Sequence, residues 1–396
     1  MVTAGVVLTV VYVGSPKSGS TKGNIGEISS SSTISTPSMH STFTYSSSWV
    51  PTSTFSTSES AITDEQSTEQ IVTELGSSLA STPSEPTPSP PAKPIYAPVA
   101  YPPAPALEPP KFGHSNGSIS GERPLWGLTY SPYNNDGSCP DVNTVAAQLQ
   151  KIAAATGHIR LYSTDCSQLS SVLQAIARNN IALDVYAGIW LAAGPTRMQA
   201  DLDQFVAAAK TYGTGLIKGL SVGNEDISNG MSEATLIGYI NQVRARLQAE
   251  GLGGIPIYTT EQDAKFSRAL VAASDVVEIN VHTIFDGYFA NLDASVQSVI
   301  QRANNVKNIA GGKLVRIGET GWASAGNTGP SPLTLANEIS YAQKFKCAAA
   351  AVGFEYFYFE AKDAQWKAGA VVSEHNFGIF NAGFVPKFDF GLLNNC

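Results

Sequence analysis

The segment IKGLSVGNEDISNGMSEATLIGYINQVRARLQAEGLGGIPIYTTE, residues 217–261, shows how this chain is built. It begins with a short β-rich run, continues through a stretch with apolar residues at helical spacing, and ends with a second β-rich run. The helical stretch follows a Ser and stops at a Gly, which are common helix boundaries. Its apolar positions are Leu236, Ile240, Val243 and Leu247. The segment therefore predicts a strand, a helix and a second strand parallel to the first.

The same alternation continues across residues 123–396. Eight strand-like runs are separated by amphipathic helical stretches: PLWGLTY, HIRLYS, ALDVYAGIW, IKGLSVGNE, IPIYTTE, VVEINVHT, LVRIGETGW and FEYFYFEA. Eight such units predict a (β/α)8 barrel, the TIM barrel. A doubly wound sheet is the alternative. It needs fewer strands and usually a Gly-rich phosphate-binding turn after the first strand, where this chain has SPYNNDGSCPD.

The composition changes near residue 122. Residues 15–122 are dominated by Ser, Thr and Pro, and such a segment buries too little apolar surface to offset the entropy of ordering it. We predict a disordered linker that carries O-linked sugars, with an unmodified linker as the alternative. The sequence NGS makes Asn116 an N-glycosylation site if the chain is secreted.

Residues 1–14 form an apolar run that is too short to cross a bilayer, which needs about 20 residues. The run has the length of a signal-peptide core but no preceding Lys or Arg, so we treat it as a possible remnant of one. We expect secretion without stable membrane insertion. The net charge of −8 and the absence of a basic stripe argue against nucleic acid as a partner, and we expect a monomer.

The ends of the predicted strands collect carboxylates, amides and aromatic rings. In a barrel of this type the active site lies at the C-terminal ends of the strands. Aromatic faces stack on sugar rings and polar side chains bind hydroxyl groups, so these ends predict a sugar-binding groove. The chain has no G-x-S-x-G elbow and no histidine pair suited to a metal, and we expect neither metal nor cofactor. The reactive groups that remain are paired carboxylates, which indicate cleavage or formation of glycosidic bonds.

Glu225 and Glu319 are the predicted pair. They are 94 residues apart, and a barrel of this size uses about 31 residues for each strand–helix unit. The spacing therefore places them at the ends of the fourth and seventh strands, which face one another across the barrel mouth. For each residue the alternative is a structural carboxylate at a strand end.

The motifs SVGNE and GETGW, which contain these two residues, resemble the signatures of glycoside hydrolase family 17. YSPYNNDGSCP, IRLYSTDC, INVHTIFDG and FGIF accompany them in order. The similarity is greatest to the fungal cell-wall branch of secreted β-1,3-glucanases and glucanosyltransferases. The resemblance implies a retaining mechanism with Glu225 as general acid/base and Glu319 as nucleophile, the carboxyls about 5–5.5 Å apart. Asn224 would bind the 2-hydroxyl of the sugar.

Further strand-end residues are expected to bind substrate. Tyr130, Tyr162, Tyr186 and His282 would line the groove, with a buried polar role as the alternative. Trp322 would stack on a sugar or pack beneath the nucleophile. Glu360 and Lys367 would hold the nucleophile or the substrate, although YFEAKDAQWK departs from the FEAFDEPWK form expected in this branch.

The four cysteines permit two disulfides in three connectivities, and their spacing does not fit a zinc site. Cys139 and Cys166 follow the first two strands in neighbouring loops, so we predict that they pair. Cys347 would then pair with Cys396. Free buried thiols are the alternative.

Two other functions remain open. The chain could be an exo-acting β-glucosidase on the same scaffold, or a cell-wall glycoprotein that binds glucan without cleaving it. The sequence also leaves open whether water or another glucan chain is the acceptor.

Overall fold

The computed structural model describes residues 123–286, 291–328, 332–367 and 370–396. Eight parallel strands form a closed barrel in chain order. The predicted (β/α)8 barrel is confirmed. The predictions for residues 1–14, for the linker at 15–122 and for Asn116 lie outside the described residues.

The elements of the barrel alternate along the chain. The strands are β1 (Leu125–Thr129), β2 (Thr156–Arg160), β3 (Asp184–Ile189), β4 (Ile217–Asn224), β5 (Ile257–Gln262), β6 (Val277–Asn280), β7 (Val315–Thr320) and β8 (Tyr356–Tyr358). The helices are α1 (Val142–Ala155), α2 (Gln168–Asn179), α3 (Pro195–Tyr212), α4 (Glu233–Ala249), α5 (Arg268–Ala273), α6 (Leu292–Lys307) and α7 (Leu335–Val352). In the part of the chain described here, no helix has the length and apolar character needed to cross a membrane.

Local sequence explains where several helices begin. The side chains of Asp141, Ser232 and Thr334 each accept a hydrogen bond from a backbone N–H in the first turn of α1, α4 and α7. Such caps satisfy donors that the helix itself leaves unpaired. The four apolar positions predicted for α4 are all fully buried against the barrel.

Both predicted disulfides are formed. Cys139 pairs with Cys166 at a Cα–Cα distance of 5.2 Å, and Cys347 pairs with Cys396 at 5.4 Å. The first links the loops that follow β1 and β2, and the second ties the C-terminal segment to α7. The bridges support the barrel wall at two separate places.

Gly321 gives a test of packing at the end of β7. A Cβ atom there would lie 2.0 Å from the carbonyl oxygen of Phe359, whereas a Cβ on Gly238 of α4 would meet no atom within 4 Å. We expect Gly321→Ala to lower the free energy of unfolding by about 3 kcal/mol, because backbone must move to admit the methyl group. Gly238→Ala should raise it by about 0.5–1 kcal/mol. Urea denaturation of the full chain measures both, and equal midpoints for the two variants would contradict this packing.

Candidate active site

Glu225 and Glu319 lie at the ends of two strands of the barrel. Glu319 is within β7 and only 6 % exposed, and Glu225 directly follows β4. Glu225 has a φ of 56°, in the left-handed region that non-glycine residues seldom occupy. Its N–H donates to the carbonyl of Thr260, and its own carbonyl accepts from the backbone of Asn229. Such backbone outliers cluster at functional sites.

Arg160 connects the two strand ends. From the end of β2 its Nη1 donates to Oε1 of Glu319 at 2.8 Å, and its Nη2 donates to Oδ1 of Asn224 at 2.8 Å. The side chain is 1 % exposed. Because a buried guanidinium must be compensated, these contacts fix the position of Glu319.

Asn280 links Asn224 to Glu225. Its Nδ2 donates to Oδ1 of Asn224 at 3.1 Å and to Oε1 of Glu225 at 3.0 Å. Oδ1 of Asn224 thus accepts from both Arg160 and Asn280. Among the described side chains and backbone, no acceptor is bonded to Nδ2 of Asn224. That amide is left free to donate to a ligand.

The two carboxyl groups have opposite electrostatic environments. Burial by itself raises the pKa of Glu319. The hydrogen bond from His282, whose Nε2 lies 3.2 Å from Oε2, and the charge of Arg160 outweigh burial and lower the pKa to about 2. Burial, followed by the negative charge of Glu319, raises the pKa of Glu225. Glu319 is therefore held ionised, while the protonated form of Glu225 is more favourable than in an ordinary Glu.

Glu360 and Lys367 form a pair beyond β8. Nζ of Lys367 lies 3.2 Å from Oε1 of Glu360 and 3.3 Å from Oε2 of Glu374. Burial raises the pKa of Glu360 to about 7, although Lys367 opposes the shift, and the charge of Glu319 adds to it. Among the described residues, Lys367 pairs with these two carboxylates, and no hydrogen bond or ion pair joins Glu360 or Lys367 to Glu319.

Tyr162 packs against Arg160, the residue that binds Glu319. The guanidinium carbon of Arg160 lies 4.6 Å from the centre of its ring. Burial and the charge of Glu319 raise the pKa of the Tyr162 hydroxyl. Tyr162 and His282 therefore contact Arg160 and Glu319 respectively, and their predicted binding of substrate stays a prediction.

Three predicted groove residues are not brought to the carboxylates. The hydroxyl of buried Tyr130 donates to Gln148 of α1 at 2.6 Å. Trp322 is fully buried, donates from Nε1 to the carbonyl of Pro332 and packs on Tyr341 of α7, so it takes the packing role rather than the stacking one. Tyr186 lies over Arg316, 4.5 Å from its guanidinium carbon, inside the barrel. Tyr130 and Trp322 lie just past their strands and turn towards a helix, whereas Tyr186 is the third residue of β3 and does not lie at the strand end.

The sequence patterns predicted no role for Arg160, Asn280 or Phe285. Arg160 and Asn280 each precede a predicted site residue by two positions, and residues two apart in a strand share a face. This two-residue spacing was the sequence signal that could have identified Arg160 and Asn280 as site residues. Phe285 is 46 % exposed, and its ring centre lies 6.0 Å from that of His282. It offers an aromatic surface at the edge of the site.

The described residues contain no cluster of three or more His, Cys, Asp or Glu side chains arranged to hold a metal ion. The side chains that meet at the two strand ends supply carboxyl, guanidinium, amide and imidazole groups.

The family model described as the BtgE/BtgC glycoside hydrolase domain matches residues 127–378. The chain belongs to this family. It is 31 % identical over 271 residues to "Probable beta-glucosidase btgE" of Aspergillus fumigatus, covering 67 % of this chain and 46 % of the relative. It is 32 % identical over 246 residues to "Probable family 17 glucosidase SCW10" of Saccharomyces cerevisiae, covering 61 % and 60 %.

Solved structures agree with this membership. The glycoside hydrolase family 17 β-1,3-glucanosyltransferase of Rhizomucor miehei has a TM-score of 0.61 and 25 % identity, covering 67 % of this chain and 97 % of that one. The predicted resemblance to family 17 is confirmed. The chain spans less than two thirds of the length of the curated relatives that it matches, 40 % in the case of "Probable glucan endo-1,3-beta-glucosidase btgC" of Aspergillus terreus.

The coupling between the two carboxyls gives a direct prediction. In Glu319→Gln the pKa of Glu225 should fall, because the negative charge that helps to raise it is gone, but burial should keep it above the usual value for Glu. Carboxyl-carbon NMR shifts across a pH titration measure this change. The control is Asp226, whose pKa burial raises to about 6 without a contribution from Glu319. An unchanged pKa for Glu225 would contradict the coupling.

Proposed function

We propose that this chain is a retaining glycosidase that acts on β-1,3-glucan, with Glu225 as general acid/base and Glu319 as nucleophile. The observation that carries the proposal is the hydrogen-bonded chain through Arg160, Asn224 and Asn280, which joins the two carboxyls at the ends of β4 and β7. The surroundings of the two carboxyls shift their pKa values in opposite directions. Retaining glycosidases need one protonated and one ionised carboxyl at the scissile bond.

In the first step, Glu225 gives its proton to the glycosidic oxygen as the C1–O bond breaks. An oxygen of Glu319 forms a bond to C1, which produces a glycosyl ester. Arg160 and His282 hold the two oxygens of Glu319 before the attack. The free amide of Asn224 is suited to the sugar's 2-hydroxyl, a contact that strengthens in the oxocarbenium-like transition state.

In the second step, Glu225 takes the proton from an acceptor hydroxyl. The acceptor oxygen forms a bond to C1, and Glu319 leaves as a carboxylate. Water as acceptor gives hydrolysis, and a glucan hydroxyl gives transfer to another chain. The exposed ring of Phe285 beside His282 favours an acceptor sugar, since it presents a face on which a pyranose can stack.

The substrate class follows from the site and from the names of the relatives. The printed names include a glucan endo-1,3-β-glucosidase and a β-1,3-glucanosyltransferase. Two disulfides and a Ser/Thr/Pro-rich segment suit a secreted protein that acts at the fungal cell wall. We infer that β-glucan is the main partner and that the protein works as a monomer.

The test compares Glu319→Gln with Glu233→Gln, a matched change on α4. On laminarin oligosaccharides we expect Glu319→Gln to lower kcat at least about a thousandfold, because no glycosyl ester can form. Glu233→Gln should keep the activity of the unmodified protein. Chromatography of the products measures the loss, and products longer than the substrate identify transfer.

Two outcomes would contradict the proposal. Retained activity in Glu319→Gln would show that another group is the nucleophile. Tight binding of laminarin oligosaccharides without turnover by the unmodified protein would instead favour a glucan-binding wall protein. Release of glucose alone would identify exo attack.

A further inference from the structure

Beneath the two carboxylates, ionised side chains continue into the barrel. We call Glu319, Arg160, Glu278 and Arg316 the buried charge chain. Nε of Arg160 lies 3.1 Å from Oε1 of Glu278, close enough for an ion pair although not aligned for a hydrogen bond. Oε2 of Glu278 lies 3.2 Å from Nη1 of Arg316. Negative and positive charges therefore alternate from the site into the barrel.

The strands hold Glu278 in place. It is the second residue of β6, with Thr260 of β5 and Arg316 of β7 as its cross-strand neighbours. The hydroxyl of Thr260 donates to its Oε1 at 2.8 Å, and the side chain is fully buried. Both oxygens thus have partners on neighbouring strands, and the carboxylate cannot turn away from Arg160.

Arg316 is fixed just as firmly. Its guanidinium carbon lies 4.5 Å from the ring centre of Tyr186, and its Nη2 lies 2.7 Å from Oε2 of Glu355. The carboxylate of Glu355 is 33 % exposed. The buried charge chain is thus neutral as a whole, and a water-screened carboxylate lies at its far end.

The charge of Glu319 changes during the proposed reaction, and that of Glu278 does not. When Glu319 becomes a glycosyl ester it loses its negative charge, and Arg160 loses one of its two anionic partners. A buried cation without a partner is strongly unfavourable, above all beside a carbon that carries positive charge in the transition state. Among the described residues that contact Arg160, Glu278 alone then supplies a compensating negative charge.

We propose that Glu278 is a positioning residue of this reaction: it compensates Arg160 while Glu319 is an ester, and so sets the balance between formation and breakdown of the glycosyl-enzyme. This inference rests on the proposed role of Glu319. Without the charge of Glu278, Arg160 would favour the free carboxylate of Glu319 over its ester. Formation would slow, and breakdown, in which the carboxylate leaves with the bonding electrons, would not.

Removal of Arg316 should shift the balance between the two steps in the opposite direction. Arg316 shares the charge of Glu278 with Arg160. Its removal leaves the whole negative charge of Glu278 to Arg160, and the carboxylate of Glu319 is then less favoured relative to the ester. The two substitutions therefore shift the balance between the two steps in opposite directions, which loss of structure does not do.

The experiment measures both steps with a 2-deoxy-2-fluoro-β-laminaribiosyl fluoride, whose fluorine at C2 slows them enough to follow. Intact-protein mass spectrometry gives the rate of ester formation, and recovery of activity with laminaribiose gives the rate of breakdown. In Glu278→Gln we expect formation to fall about tenfold with breakdown unchanged or faster. Arg316→Met should retain formation and slow breakdown. Glu355→Gln is the control, because it also removes the charge of a carboxylate that contacts Arg316. It should keep both rates within about twofold, since water screens Glu355.

Equal losses in both rates in Glu278→Gln would overturn the proposal, because that is the result of a structural role. If Glu278→Gln does not fold, Glu278→Asp, which keeps the charge, and Arg316→Met decide. For Glu278→Asp the proposal requires a smaller change in the two rates, in the direction expected for Glu278→Gln. For Arg316→Met it requires a change in the opposite direction. If the unmodified protein forms no ester, the proposed function itself is wrong. An ester in the unmodified protein with no change in either variant would refute this inference alone.

Discussion

The site depends on the contacts that the guanidinium of Arg160 makes. The guanidinium is buried, and it reaches Glu319 on β7 and Asn224 at the end of β4 from a third strand, β2. No local segment can bring these three residues together, because they are far apart in the chain. The closed barrel does so, and the need to compensate a buried cation then fixes where the carboxylate of Glu319 lies.

The opposite states of the two carboxyl groups follow from this arrangement. Arg160 and His282 surround Glu319 with donors, and its pKa falls to about 2 in spite of burial. Glu225 has the neutral amide of Asn280 instead of a cation, so burial and the nearby negative charge raise its pKa. The difference in partners, more than the difference in burial, divides the two roles.

Much of this was predictable from the sequence. Regular alternation of strands and helices predicted the barrel, and the spacing of SVGNE and GETGW located the carboxyl pair. The neighbouring loops after the first two strands predicted the Cys139–Cys166 disulfide, and Cys347 with Cys396 was the pair that remained. The direction in which a side chain points was not predictable, because a residue just past a strand can turn to the ligand or to a helix. Tyr130 and Trp322 both turn to a helix. The left-handed backbone of Glu225 and the link through Asn280 depend on contacts between distant strands, which no short pattern contains.

The central claim is that two carboxyls act in two steps with retention at the anomeric carbon. The most direct measurement is the proton NMR spectrum of the first product formed from a laminarin oligosaccharide, recorded before mutarotation mixes the anomers. The account predicts the β-anomer at the newly formed reducing end. Initial formation of the α-anomer would mean a single displacement by water, and would contradict the role given to Glu319.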